Sequence, residues 1–194
     1  MASNTGGAIL TSVQNALVFK SDFTQNRTRT SNGSIGTIGF QGGAIHADVG
    51  QNSDPTRLVI AGGTFQDNVA DRVGGALSVG EGASVVIRSA AGLNGTPQFI
   101  GNRALAEDGG AIFSRGNLTV RDAVFADNQS RNGAGLFLES GSLSLIDSVV
   151  TGNDARVRGG GLFVASGATF FEDSFFADNT ALRGPDPNIF DENT

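Results

Sequence analysis

One unit is written six times along this chain, and that repetition leaves few folds open. Gly-Gly-Ala-Ile stands at 6–9, 42–45 and 109–112, and Gly-Gly-Ala-Leu at 74–77. The motif drifts to Gly133-Ala134-Gly135-Leu136 and Gly159-Gly160-Gly161-Leu162. Each copy is followed by an apolar residue placed three before an asparagine. These pairs are Phe23 and Asn26, Phe65 and Asn68, Phe99 and Asn102, Phe125 and Asn128, Val150 and Asn153, and Phe176 and Asn179. Spacings of 24 and 26 residues between the last three starts define a minimal unit of about 25. The earlier spacings of 36, 32 and 35 carry insertions at about 27–41, 49–56 and 89–97. All three insertions are rich in residues that form turns.

Within the fourth unit, residues 111–114, 118–121 and 123–125 read as three short strands. Side chains alternate faces along a strand. Five residues before each position of the Phe ladder stands Val18, Ile60, Val120, Leu145 or Phe171, with Val86 or Ile87 serving in the third unit. Two residues before stands a small residue: Ser21, Gly63, Ala123, Ser148 or Ser174. No stretch has helical periodicity, which excludes helical crossovers between strands. A fixed period with three strands per copy predicts an all-β fold, a parallel β-helix of about six rungs over residues 1–182. Parallel strands joined by crossovers prefer the right hand, so a right-handed coil is expected. Six rungs at about 4.8 Å each give a rod roughly 30 Å long. Residues 183–194 form a tail placed to cap the last rung.

Two ladders follow from stacking. Phe23, Phe65, Phe99, Phe125, Val150 and Phe176 are expected to pile up inside one corner. Each such burial contributes roughly 1.5–3 kcal/mol. Asn26, Asn68, Asn102, Asn128, Asn153 and Asn179 are expected at the adjoining turn, where asparagine tolerates left-handed backbone and bonds to local groups. Stacked amides also bond from rung to rung, so this ladder is read as structural rather than as a ligand or metal site.

The tandem Gly-Gly-Ala-[Ile/Leu] and Phe-x-x-Asn pairing resembles the repeat of the chlamydial polymorphic outer-membrane proteins, and the resemblance covers residues 6–179. The ending Arg183-Gly-Pro-Asp-Pro-Asn-Ile-Phe190 is similar to the Gly-Pro-Asp-Ile-Tyr closure found where such arrays stop. The resemblance implies a right-handed β-helical passenger at a cell surface, often displayed by an autotransporter barrel and engaged in adhesion. Bacterial and algal proteins outside that family share the repeat. This chain has no Cys and no Tyr. Its first five residues show neither a basic nor an apolar signal region, which suits a processed product or a part of something longer.

The residues offer little for catalysis. β-Helix enzymes that act on polysaccharides use paired carboxylates, or a basic residue beside calcium-binding acids. Here His46 is the one histidine and Lys20 the one lysine, and His46 reads as a solvent-facing strand residue. Asp67, Asp127 and Asp178 precede ladder asparagines, with Gly101 and Gly152 on the rungs between, as if to avoid stacking like charges. No Gly-Gly-x-Gly-x-Asp calcium repeat occurs, and an absence of Cys removes thiolate sites. No catalytic residue, cofactor or metal is expected. A net charge of −6 argues against nucleic acid, and no apolar run is long enough to span a membrane as a helix. Sequons at Asn26, Asn32, Asn94, Asn117 and Asn128 read as accidents of an Asn-rich chain.

Contact with other protein chains is the stronger expectation. After the Ile or Leu of each first motif come Leu10, His46 and Ser78, then Phe113, Phe137 and Phe163. Neighbours on a strand face opposite ways, so three stacked phenylalanines are expected to form an outward apolar stripe. A second outward set runs Asp22, Thr64, Gln98, Val124, Val149 and Phe175. The first rung, at Gly6, is expected to be uncapped, which invites a homo-oligomer or end-to-end filament. Extracellular or cell-surface adhesion and display is the favoured role. A scaffold or linker subunit of a larger assembly is the alternative, and a polysaccharide-active enzyme a distant one.

Overall fold

The computed structural model describes residues 8–12, 14–28, 41–49, 55–92, 95–184 and 186–193. Every regular element among them is a β-strand. The strands stack into four parallel sheets, and each turn of the chain adds one strand to each sheet. The first sheet has seven strands, running from Ile9–Thr11 through Ile112–Ser114 to Ile189–Asp191. The second has six, with Ala16–Phe19 at one edge and Ala168–Glu172 at the other. The third also has six, from Phe23–Thr24 to Phe175–Ala177. The fourth has five, from Val69–Ala70 to Thr180–Ala181. The chain is therefore a parallel β-helix.

A rung has one strand more than the three read from the sequence. The additional strand follows each ladder asparagine, as in Arg103–Ala104, Gln129–Asn132 and Asp154–Arg158. Its inward column is small and buried: Ala70, Ala104, Ser130 and Ala155. Its outward residues are mostly polar, so it carries no apolar run to announce it. Parts of the three expected insertions, at 29–40, 50–54 and 93–94, lie outside the described residues, as does the expected bare start at Gly6.

Left-handed residues turn the chain between sheets. Gly42, Gly74, Gly109, Gly133 and Gly159, which open the first motif, all have positive φ. A Cβ on Gly109 would lie 2.6 Å from the Ile112 carbonyl oxygen, so the position excludes side chains. The asparagine turn works differently from the expectation. The left-handed residue is the one before each asparagine: Gln25, Asp67, Gly101, Asp127, Gly152 and Asp178. Asp and Gly suit that backbone. Their alternation is also steric, because a Cβ on Gly101 would meet Asp67 Oδ1 at 2.6 Å, and one on Gly152 would meet Asp127 Oδ1 at 2.6 Å.

The interior is filled by columns of equivalent residues. Phe23, Phe65, Phe99 and Phe125 stack with ring centroids 4.9, 4.6 and 4.9 Å apart. Val150 pairs in register above Phe125, and Phe176 above Val150. On the second sheet Val18, Ile60, Ile87, Val120, Leu145 and Phe171 share one column, so Ile87 fills the place left open between Val86 and Ile87.

The asparagines form a continuous buried amide chain. Asn128 Nδ2 donates to Asn153 Oδ1 at 2.8 Å and to the Phe99 carbonyl at 2.9 Å. Its Oδ1 accepts from Asn102 Nδ2 at 3.0 Å and from the Asn102 backbone N–H at 2.9 Å. The same linkage joins Asn26 to Asn68, Asn68 to Asn102 and Asn153 to Asn179. The tail prolongs it, since Asn179 Nδ2 donates to Asn188 Oδ1 at 2.9 Å.

Candidate functional site

The first-sheet column beside the core is the first place where sequence pointed to a site. Leu10, His46, Ser78, Phe113, Phe137, Phe163 and Phe190 lie in one register. The expectation of an exposed aromatic stripe is corrected here. Phe113, Phe137 and Phe163 are only 2 %, 7 % and 5 % exposed. They form a second core with Val73, onto which Ala165 and Phe190 pack. Ring centroids step by 5.4, 4.9 and 5.2 Å from Phe113 to Phe190. The cause is the glycine pair, which turns the chain so tightly that the residue preceding it flanks the aromatic column. Val73 packs there directly, and Arg158 lies 4.9 Å from the Phe190 ring centroid. Arg115, paired with Glu139, lies over Phe113. Among its described residues the tail adds Ile189–Asp191 to the first sheet, bonds Asn188 to the end of the asparagine ladder and ties the Arg183 N–H to the Val157 carbonyl of the fourth sheet.

His46 also departs from its expected solvent-facing position. It is buried in the same column, with Nε2 3.6 Å from Asp48 Oδ2 and Nδ1 without a hydrogen-bond partner among the described residues. Burial lowers its pKa from the usual 6.5, Asp48 opposes that shift, and Arg115 adds to it. The unfolded chain therefore binds this proton more readily than the folded one. Stability should be full above about pH 6.5 and should fall as the pH drops below it. Urea midpoints measured from pH 8 to 5 check this, and His46→Gln should flatten the decline.

On the third sheet, Thr64, Gln98, Val124, Val149 and Phe175 form one outward column. Val124 is half-buried, while Val149 and Phe175 are exposed, Phe175 by 62 %. Phe170 is exposed on the second sheet of the same rung. Exposed apolar side chains thus gather toward both ends of the described rod, with Leu10, Leu17 and Phe19 at one and Val149, Phe170, Phe171, Phe175 and Leu182 at the other, and not along the aromatic stripe.

Asp108 is the other perturbed group. Burial raises its pKa, against the hydrogen bonds that Oδ1 accepts from the Asn132 backbone N–H at 3.0 Å and Nδ2 at 2.9 Å. Arg131 also lowers it and the neighbouring Glu107 raises it, and the two Asn132 bonds tie Asp108 to the start of the following Gly133 turn. Among the described residues no three His, Cys, Asp or Glu side chains converge as metal ligands. No helix among them is long and apolar enough to cross a membrane.

Residues 98–115 match the family described as the Chlamydia polymorphic membrane protein (Chlamydia_PMP) repeat. The matched stretch runs from the Phe99 strand, through Asn102 and the fourth-sheet strand, to the Gly109-Gly110 turn and Phe113. It thus joins the two motifs that the chain repeats. No curated protein and no solved structure matches the chain.

Proposed function

We propose that this β-helix is a non-enzymatic module displayed at a cell surface or secreted, where it acts in adhesion or display through protein contacts. The match over residues 98–115 to a membrane-protein repeat carries this reading. The outward column of Val124, Val149 and Phe175 supplies the contact face, since clustered exposed apolar residues favour association. In the test, intact producing cells are treated with protease and probed with antibody to this chain. Loss of the signal without lysis is expected; full protection would contradict display. Beads coated with the chain should adhere to a protein-coated or cellular surface. Replacing Val124, Val149 and Phe175 with Thr should reduce adhesion about tenfold, the effect of losing roughly 1.4 kcal/mol of contact. Equal adhesion by the variant would remove the face from the account.

A second reading, a scaffold subunit or filament, draws on the outer edges of Ala168–Glu172 and Phe175–Ala177. Neither has a further partner strand among the described residues. Such edges pair readily with other chains. Light scattering on the purified chain separates the readings, with concentration-dependent growth in mass favouring the scaffold.

A further inference from the structure

We propose that the last rung takes up an extended segment of another protein as the next strands of the coil, a segment with alternating apolar residues and a lysine or arginine at its first turn. The inference takes from the scaffold reading only that the edges of Ala168–Glu172 and Phe175–Ala177 pair, and adds the chemistry of what pairs with them. The core is open at these edges. Along the second sheet the inward column is fully buried at Val120 and Leu145, yet Phe171 on the next rung is 40 % exposed. On the third sheet Phe125 and Val150 are fully buried, and Phe176 only partly. The rings of Phe171 and Phe176 meet edge to face at this open end, with centroids 5.9 Å apart.

The register of this seat is fixed by the rungs below it. Ile189–Asp191 already supplies the next strand of the first sheet. Over the second and third sheets no further strand follows among the described residues. A parallel strand added to Ala168–Glu172 would send inward the residues over Thr169 and Phe171, and its continuation would send inward the residue over Phe176. Those places continue the columns Leu118–Leu143–Thr169, Val120–Leu145–Phe171 and Phe125–Val150–Phe176. Backbone bonds along such an edge contribute affinity, and the inward side chains contribute specificity. An intact copy of this chain stacked in the same register would need the place of Ile189–Asp191 for its own Ile9–Thr11. An extended segment fits without displacing the tail.

Charge narrows the choice of segment. Residues 168–179 carry Glu172, Asp173 and Asp178 and no lysine or arginine. Asp122, Asp147 and Asp173 hold one left-handed turn position on successive rungs, with φ of 52°, 48° and 45°. The Asp122 N–H bonds to the Ile146 carbonyl and the Asp147 N–H to the Glu172 carbonyl, which keeps the three turns in step. Successive rungs lie about 4.8 Å apart, and like charges stacked in this way oppose one another. Asp147 and Asp173 form no ion pair among the described residues. A cation on the next rung would offset that repulsion. The backbone accepts one there, since Lys20 holds the same turn on the first rung with φ 44°. The same acids repel nucleic acid.

The probe for the test is a fluorescein-labelled peptide of residues 14–24, in which Ala16, Val18, Lys20 and Phe23 stand at the required spacing. At low salt it should bind the purified chain saturably by anisotropy, and in NMR it should move the backbone amide signals of residues 168–177. A peptide carrying Lys20→Glu should bind about fivefold more weakly, the effect of turning one exposed ion pair into a repulsion. Asp173→Lys in the chain, at an exposed position, should weaken binding of the parent peptide and restore binding of the glutamate peptide, which a loss of fold would not do. No saturable binding, equal binding of the two peptides, or shifts confined to other residues would overturn the proposal. Chains that associate in light scattering but do not bind the peptide would leave the scaffold reading standing and overturn this one. Peptide binding by a chain that stays monomeric would support this one alone.

Discussion

Asn128→Ala should be among the most damaging substitutions in the chain, lowering unfolding free energy by about 3–6 kcal/mol. The size follows from what the side chain leaves behind. Asn102 loses the oxygen that accepts both its backbone N–H and its Nδ2, and the Phe99 carbonyl loses a donor. All three sites are buried, and each unsatisfied group costs roughly 1–3 kcal/mol. Small domains have only about 5–15 kcal/mol in total. Asn128→Asp should not rescue the loss, because it sets oxygens against the Phe99 carbonyl and Asn153 Oδ1, both now bonded to Nδ2. Asn26→Ala, at the partly buried start of the ladder, should cost less than about 1.5 kcal/mol. Urea unfolding of the three variants checks the order. Equal effects at Asn26 and Asn128 would mean that the amides do not act as a buried chain.

Phe99→Ala should cost about 3–5 kcal/mol. Its ring is fully buried between Phe65 and Phe125, so the change opens a cavity inside a column that cannot close up. The strands above and below are held in register by backbone bonds, which prevents collapse around the space. The chain itself supplies the comparison: Val150 occupies the equivalent position two rungs on. Phe99→Val should therefore cost clearly less than Phe99→Ala, and thermal unfolding of the pair measures the difference.

The Phe and Asn columns were legible in sequence because each repeats one letter at one spacing, and stacking turns such spacing into contact. The fourth strand was not read, although a signal was present. A small residue or Thr stands two after every ladder asparagine, from Thr28 and Ala70 to Ala155 and Ala181. That column is too small to look like a core, yet its members from Ala70 to Ala155 are buried. Phe113, Phe137 and Phe163 were assigned outward by strand alternation, which holds for a flat sheet. The glycine turn brings the residue before it, such as Val73, back against the outer face, and alternation alone does not reveal such a fold-back.

The central claim is that equivalent residues of successive repeats lie over one another along a single axis. The chain has no cysteine, so labels can be placed at will. Leu17, Val59, Ser144 and Phe170 belong to one outward column of the second sheet. Spin labels on cysteines replacing Val59 and Ser144, Val59 and Phe170, and Leu17 and Phe170 span three, four and five strand steps. Dipolar distances should rise in equal steps of about 4.8 Å, near 14, 19 and 24 Å. Distances that fail to grow with the number of intervening repeats would contradict the β-helix itself.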